Sequence, residues 1–435
     1  MLEVITVFEH QLVSVGSTED GYGITVEESC RLTELAKTRP GLCTLGHRSI
    51  RFAQYAGLIN LGERVLEVLP KVDEDNGEPE VGRGMLLRLL RLAGNLKLPT
   101  YSSVTHDLRR QSLLEVFINA FFDSVSSLVR AGLLRRYRTL EDDIPLVKGR
   151  LLIARQATVH AMRMDKLACN FDELTADNVW NQGLKAALIA VKPWIRTIDV
   201  ARRWQELTAA FDEVSLVAMG PDALDALLVD RQAQRYVPSM QWAKWILRLL
   251  SPNLRAGSNE APGLLFDMNQ LFETAIVTLL RQRARGRPAL QIVAQETGSH
   301  LATTIAPVAR DVFRLRPDIL LREAGKVIAI GDTKWTRVNS NTYGEPVPSE
   351  SHMYQMLAYA NAFSCSDFSL IYPWHGGMTS KKPTSFLLKQ LGDRFPKVHV
   401  TCVDVSTDLF RSTSGSDDSP IEDMLGSRDG LHAPD

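Results

Sequence analysis

The sequence is poor in cysteine, in net charge and in long apolar runs, and each shortage removes a class of protein. Five cysteines, Cys30, Cys43, Cys169, Cys365 and Cys402, are scattered through 435 residues. No two form a Cys-x-x-Cys pair and none has a histidine at zinc spacing, so neither a disulfide framework nor a zinc module is expected. Reduced thiols in a cytoplasmic protein are the simple reading. The formal net charge is −1, so a nucleic-acid partner does not follow from total charge, and any basic surface must be local. No apolar run approaches the roughly 20 residues that cross a bilayer. The opening Met1-Leu2-Glu3-Val4 stretch has no basic segment followed by a long apolar one. Neither membrane association nor a secretory leader is expected. There is no His-Glu-x-x-His spacing and no Gly-x-Ser-x-Gly elbow, which leaves zinc and serine hydrolase chemistry unsupported. There is also no Gly-x-x-x-x-Gly-Lys-Ser/Thr loop, so any nucleotide-driven step has to come from another chain.

What remains is an ordinary globular composition, 45% hydrophobic and 23% charged, in a chain too long for one core; two or three domains are expected. Residues 1–72 read as a β-rich N-terminal domain. It holds a helix candidate at 26–38 and a hairpin at 57–70, where two apolar runs flank a glycine turn. Residues 73–82 are acidic and turn-rich and read as a linker. Residues 83–258 read as a mainly helical middle domain, with apolar periodicity near Leu86–Leu92 and at 111–134, 177–198, 201–214 and 238–250. Ile144–Leu151 breaks that pattern as a loop or short strands. From 259 to 405 the character changes. A helix candidate at 267–283 precedes β-branched runs at Val327–Ile330 and Phe368–Tyr372, a helix candidate at 350–363 lies between them, and Val398–Val403 looks like a last strand. Strands alternating with helices argue for an α/β domain, and the whole is a multidomain α+β chain. Residues 406–435, rich in Ser, Asp, Gly and Pro, read as a disordered tail.

The chemistry concentrates in two strings, Pro317-Asp318 and Asp332-Thr333-Lys334. The second closes an apolar strand. Side chains alternate along a strand, so Asp332 and Lys334 share a face, about 7 Å apart. The turn-like Arg322–Lys326 stretch between the strings predicts a hairpin that brings Asp318 beside Asp332. Two carboxylates so placed repel unless a divalent cation lies between them. Hard oxygen ligands suit Mg²⁺, or Mn²⁺ in its place, and a lysine beside metal and phosphate holds or deprotonates the attacking water. The expected reaction is metal-assisted phosphodiester hydrolysis.

This arrangement resembles the PD-(D/E)xK nuclease superfamily. The resemblance implies two further elements: Glu273, on the Met268–Glu273 helix segment, completing the metal or water network, and Gln355 with Tyr359, at i and i+4 on one helix, supporting the lysine and the DNA phosphate. It also implies a restriction-endonuclease-like fold for 259–405, with Glu273, Asp318, Asp332 and the carbonyl of Thr333 as metal ligands. A more specific resemblance is to McrC, the nuclease subunit of modification-dependent McrBC restriction systems. It spans roughly 58–375 and is carried by Leu66–Val72, Lys148-Gly149-Arg150-Leu151, Phe171–Asp177, Asn181, Met268–Glu273, Pro317-Asp318, Asp332–Trp335 and Gln355–Tyr359. That likeness implies an McrB-like AAA+ GTPase ring as partner, docked through the middle domain, whose hydrolysis this chain stimulates, and double-stranded, 5-methylcytosine-type modified DNA as substrate. A non-catalytic adaptor of the ring and a standalone repair nuclease are the alternatives.

Other features carry two readings each. Arg281, Arg283, Arg285 and Arg287 complement a helix C-terminus or hold DNA backbone. Arg135, Arg136 and Arg138 suggest a solvated face. Lys148-Gly149-Arg150 is either a structural turn or a contact to the partner. His352 is expected at a helix start on the surface, with phosphate binding as the alternative, and Trp335 is expected to pack beneath the site.

Overall fold

The computed structural model describes residues 3–16, 23–71, 78–94, 111–163, 165–250, 263–305, 308–363, 365–378, 383–389 and 395–405. Half of the expected linker (73–77) and the whole expected tail (406–435) lie outside the described residues, while the rest of the linker leads into the Pro79–Leu92 helix. Among the described residues no helix is long and apolar enough to cross a membrane.

The chain is a mixed α/β protein of two compact units that interleave along the sequence. One takes Met1–Val4, Leu58–Val65 and Leu113–Leu264; the other takes Ile5–Gly57, Leu66–Ser112 and Leu265–Asp435. A reading in consecutive blocks, with 1–72 apart from 259–405, does not anticipate this. The reason is a set of polar bonds between distant parts of the second unit. Gln54 Nε2 donates to Asp267 Oδ2 at 3.3 Å, Met268 N donates to the Gln54 carbonyl at 2.9 Å, and Trp335 Nε1 donates to Glu9 Oε2 at 3.1 Å. Sequence periodicity reports none of these.

The first unit packs the helices Leu113–Arg130, Val179–Val191, Ile198–Ala209 and Val237–Leu250. Their apolar stripes bury Phe117, Phe121, Phe122, Leu184, Leu188 and Ile246, each worth about 1.5–3 kcal/mol over exposure. Asn178 caps the second helix by accepting from Trp180 N and Asn181 N, which offsets donors that a helix start leaves unpaired. The region is less helical than its periodicity suggested. Arg136–Ile144, Leu167–Thr175 and Arg150–Leu151 form a three-stranded sheet in that order. The first strand is solvent-facing along most of its length, so it lacks the apolar alternation that announces a strand. Polar cross-strand pairs hold it instead, such as Thr139 Oγ1 to Asp172 Oδ1 at 2.7 Å. Gly149 sits at φ +68°, where a Cβ would meet the Asn170 carbonyl at 2.4 Å; only glycine fits.

The second unit is built on a six-stranded sheet in the order Leu290–Ala294, Ile319–Glu323, Lys326–Thr333, Asp367–Pro373, Lys397–Val403, Thr384–Leu387. Ala324 (φ 48°) and Gly325 (φ 80°) close the central hairpin; two left-handed residues are what a tight hairpin needs to match strand twist. The Lys326–Thr333 and Asp367–Pro373 strands are parallel, with Thr333 opposite Ile371. Parallel neighbours need a crossover, and the Glu350–Ala362 helix lies within it. Met356, Tyr359 and Ala360 of that helix share a core cluster with Leu320, Ile330, Phe368, Leu370, Tyr372, Val398 and Val400. The Met268–Arg283 helix packs on the Leu290–Ala294 and Lys326–Thr333 strands and against the Pro79–Leu92 helix. In this unit Arg83 donates to the fully buried Glu67 through Nε at 2.9 Å and Nη2 at 2.7 Å.

Candidate active site

The hairpin register pairs Ile319 with Gly331, so the next pair outward sets Asp318 opposite Asp332. This is the juxtaposition expected from the two motif strings. Asp318 Oδ2 accepts from Thr333 N at 2.7 Å and from Thr333 Oγ1 at 2.8 Å. Thr333 thus clamps one acid while standing beside the other. Asp332 is 1% exposed. Its Oδ1 accepts from Gln355 Nε2 at 3.0 Å and from Tyr359 OH at 3.2 Å, and Lys334 Nζ lies 2.5 Å from its Oδ2. Gln355 also donates to Tyr359 OH at 2.8 Å. One helical turn separates these two side chains, so they act on the same carboxylate.

Electrostatics mark the site as overloaded with negative charge. Burial, and then the charge of Asp318, push the Asp332 carboxyl up to about 6, against the pull of Lys334. Glu273 is raised for the same two reasons, burial first and Asp318 second, with a smaller push from Asp332. Tyr359 is raised by burial and then by Asp332, so the phenol keeps its proton. Two acids raised by burial and by the charge of the same neighbouring carboxylate fit a site that receives a cation. Among the described residues, however, no three His, Cys, Asp or Glu converge closely enough to make a metal cage on their own. Two carboxylates with water and phosphate filling the remaining positions suit Mg²⁺ and do not need such a cage.

Glu273 is placed by a residue the sequence did not single out. Gln295 Nε2 donates to Glu273 Oε1 at 2.8 Å, Gln295 N donates to the Asp318 carbonyl at 3.0 Å, and its Oε1 accepts from Arg316. Gln295 does this from φ 54°, a conformation that costs a non-glycine residue roughly 1–3 kcal/mol. Nothing in the string Ala294-Gln295-Glu296 signals it. A cavity of about 490 Å³ opens beside Glu273, lined among others by Asp267, Gln270, Thr274, Arg281 and Gln295.

Of the remaining candidates, Trp335 packs its ring 5.4 Å from Phe272, centroid to centroid, and bonds Glu9. Glu9 is fully buried, and burial pushes its carboxyl up to about 8 against the bonds from Trp335 and Lys71. His352 is half-buried rather than a free surface residue, and its Nδ1 lies 2.7 Å from Tyr372 OH. In the first unit Arg135, Arg136 and Arg138 pair with Glu213, Asp230 and Asp177 at 3.2, 2.5 and 3.5 Å, so acids on the same face meet that basic cluster. Lys148 Nζ lies 3.6 Å from Glu173 and 4.1 Å from the Phe171 ring centroid. Asn181 is fully buried, donates to the Leu134 and Ala176 carbonyls at 2.9 and 2.7 Å, and accepts from Tyr236 OH at 2.8 Å.

A family model described as the McrBC 5-methylcytosine restriction system component matches residues 50–373, well over half of the chain. The chain belongs to this family. The McrBC match takes in every site residue named above apart from Glu9. Two solved structures share the fold. One is a chain of a half-complex from the tetradecameric assembly of Thermococcus gammatolerans McrB AAA+ hexamers with bound McrC. It has a TM-score of 0.71 and 20% identity, and the match covers 94% of this chain and 97% of that one. The other is a chain of the Thermococcus gammatolerans McrBC complex, with a TM-score of 0.51, 22% identity, and 64% and 87% coverage. No curated protein matches.

Proposed function

We propose that this McrBC component is the Mg²⁺-dependent DNA endonuclease subunit of a modification-dependent restriction complex, carried on a restriction-endonuclease-like domain. The observation that carries the reading is the facing pair Asp318 and Asp332, with Lys334 on the second acid and Thr333 on the first. Asp318, Asp332 and the Thr333 carbonyl would hold the cation, with Glu273 beside them. A bound divalent ion lowers the pKa of water and offsets charge on the phosphate. Lys334, an ammonium paired with Asp332, would position the attacking water and offset the phosphate charge, and the water's proton would leave to solvent. Gln355 and Tyr359 orient Asp332. Arg281, on the wall of the cavity beside Glu273, meets the DNA backbone.

The related assembly described as McrB AAA+ hexamers with bound McrC supports a partner of the same kind, a ring whose GTP hydrolysis this chain stimulates and which reads the modified DNA. The test is cleavage of methylated DNA by the chain with its ring partner. Asp332→Ala and Lys334→Ala should abolish cutting and leave assembly and GTP hydrolysis intact; cutting by both variants would sink the site assignment.

One observation favours a second reading, a non-catalytic activator of the ring: no three ligating side chains form a closed metal cage among the described residues. Calorimetric titration with Mn²⁺ separates the two. No binding, together with full stimulation of the ring, would support the activator.

A further inference from the structure

The half-buried His352 and the fully buried Tyr372 make a pair that the acid–lysine reading leaves unused. His352 stands in the first turn of the Glu350–Ala362 helix, where its N–H meets the cap Ser349. It lies one turn before Gln355 and so faces the same way. Tyr372 lies on the strand parallel to the one that ends at Thr333, with Thr333 opposite Ile371 and Lys334 N donating to the Ile371 carbonyl at 2.8 Å. Tyr372 is therefore the register neighbour of Lys334. The pair's bond, His352 Nδ1 to Tyr372 OH at 2.7 Å, joins the helix to this strand beside the lysine.

The protons of the pair can be assigned. Tyr372 is fully buried, and burial with the Asp332 charge raises it, so the phenol stays protonated. Among the described residues its hydroxyl has no partner except His352, and a buried donor left unmade is costly. The O–H therefore donates to Nδ1. Burial and then the Lys334 charge lower His352, so the imidazole is neutral near pH 7. A neutral ring that accepts at Nδ1 carries its proton on Nε2.

We propose that His352 is a further catalytic residue, whose Nε2–H donates to a non-bridging oxygen of the scissile phosphodiester beside Lys334, and that Tyr372 is the positioning residue that fixes its tautomer. The proposal rests on the phosphodiester-hydrolysis reading above. Negative charge on those oxygens grows in the transition state, so a fixed neutral donor stabilises it more than the ground state. A neutral imidazole also adds no charge to compete with the cation for the acids.

Two measurements on the full chain test this. In the chain with its ring partner, His352→Ala should lower kcat about tenfold to a hundredfold, with KM and the Mg²⁺ dependence little changed. His352→Gln, which keeps an N–H donor, should recover part of that loss. Tyr372→Phe should cost about threefold to tenfold, and should cost nothing more once His352 is alanine. Separately, ¹⁵N spectra of histidine-labelled chain should show one histidine protonated on Nε2 at neutral pH, and Tyr372→Phe should scramble its tautomer. Wild-type kcat in His352→Ala, a Tyr372→Phe loss that persists in the double variant, or an Nδ1–H tautomer would each overturn the proposal. If Asp332→Ala cuts as well as wild type, the hydrolytic reading fails first and this one with it. If Asp332→Ala is dead while His352→Ala is unaffected, only this one fails.

Discussion

Two sheets of the molecule are held by opposite means. The six-stranded sheet of the second unit buries Leu320, Ile330, Phe368, Leu370, Val398 and Val400 completely. The three-stranded sheet of the first unit exposes most of its Arg136–Ile144 strand and relies on cross-strand polar bonds, each worth about 0.2–1 kcal/mol. The first kind of sheet is rigid enough to hold two acids opposite each other; the second is a surface. This difference teaches where chemistry and where recognition are to be sought.

The comparison can be broken most severely at the acids. Asp332→Ala or Lys334→Ala should lower cleavage by at least about a hundredfold, read as nicked or linear DNA, with little change in the unfolding midpoint. Next, Leu370→Ala should destabilise the chain by about 2–5 kcal/mol in denaturant titration, because a fully buried side chain leaves a cavity. Gly149→Ala should cost about 1–3 kcal/mol, since its φ of +68° and the nearby Asn170 carbonyl refuse a side chain; a neutral outcome would mean the polar sheet gives way easily. Glu9 gives a pH test. Its folded carboxyl is held near 8 against 4.5 when free, so the folded state binds the extra proton in between. Its contribution is full below pH 4.5 and is lost as pH rises through 8. Glu9→Gln should flatten the fall of Tm between pH 5 and 9 that this group causes. At the small end, Tyr137→Ala, on an exposed strand position, should stay within about 0.5 kcal/mol of wild type.

The same contrast explains what the sequence disclosed. The Lys326–Thr333 and Asp367–Pro373 strands and the helices at 26–38, 268–283 and 350–362 were legible because each carries one strong apolar pattern that survives into the core. The facing of Asp318 and Asp332 followed from strand alternation and a short turn. The three-stranded sheet was missed because charged residues on both faces give no periodicity. Gln295 was missed because its placement depends on a left-handed backbone at a strand end, which a glutamine does not advertise. Glu9 was missed because its acceptor role depends on Trp335, far along the chain. His352 was noticed but placed on the surface, since local sequence gives no hint of Tyr372 above it. The interleaving of the two units was illegible for a related reason, as the bonds that tie Gln54 to Asp267 and Met268 leave no trace in composition.

The bond between the Trp335 indole and Glu9 spans 326 positions and meets the chain one residue after Lys334. Trimming the first ten residues would keep every acid, amide and ammonium of the candidate site, yet take away the carboxylate that receives the indole proton. A shortened version of this polypeptide is therefore a poor stand-in for the whole: an inert truncate would say nothing against the proposed chemistry, because Glu9, one residue past the opening strand, bonds the residue next to Lys334.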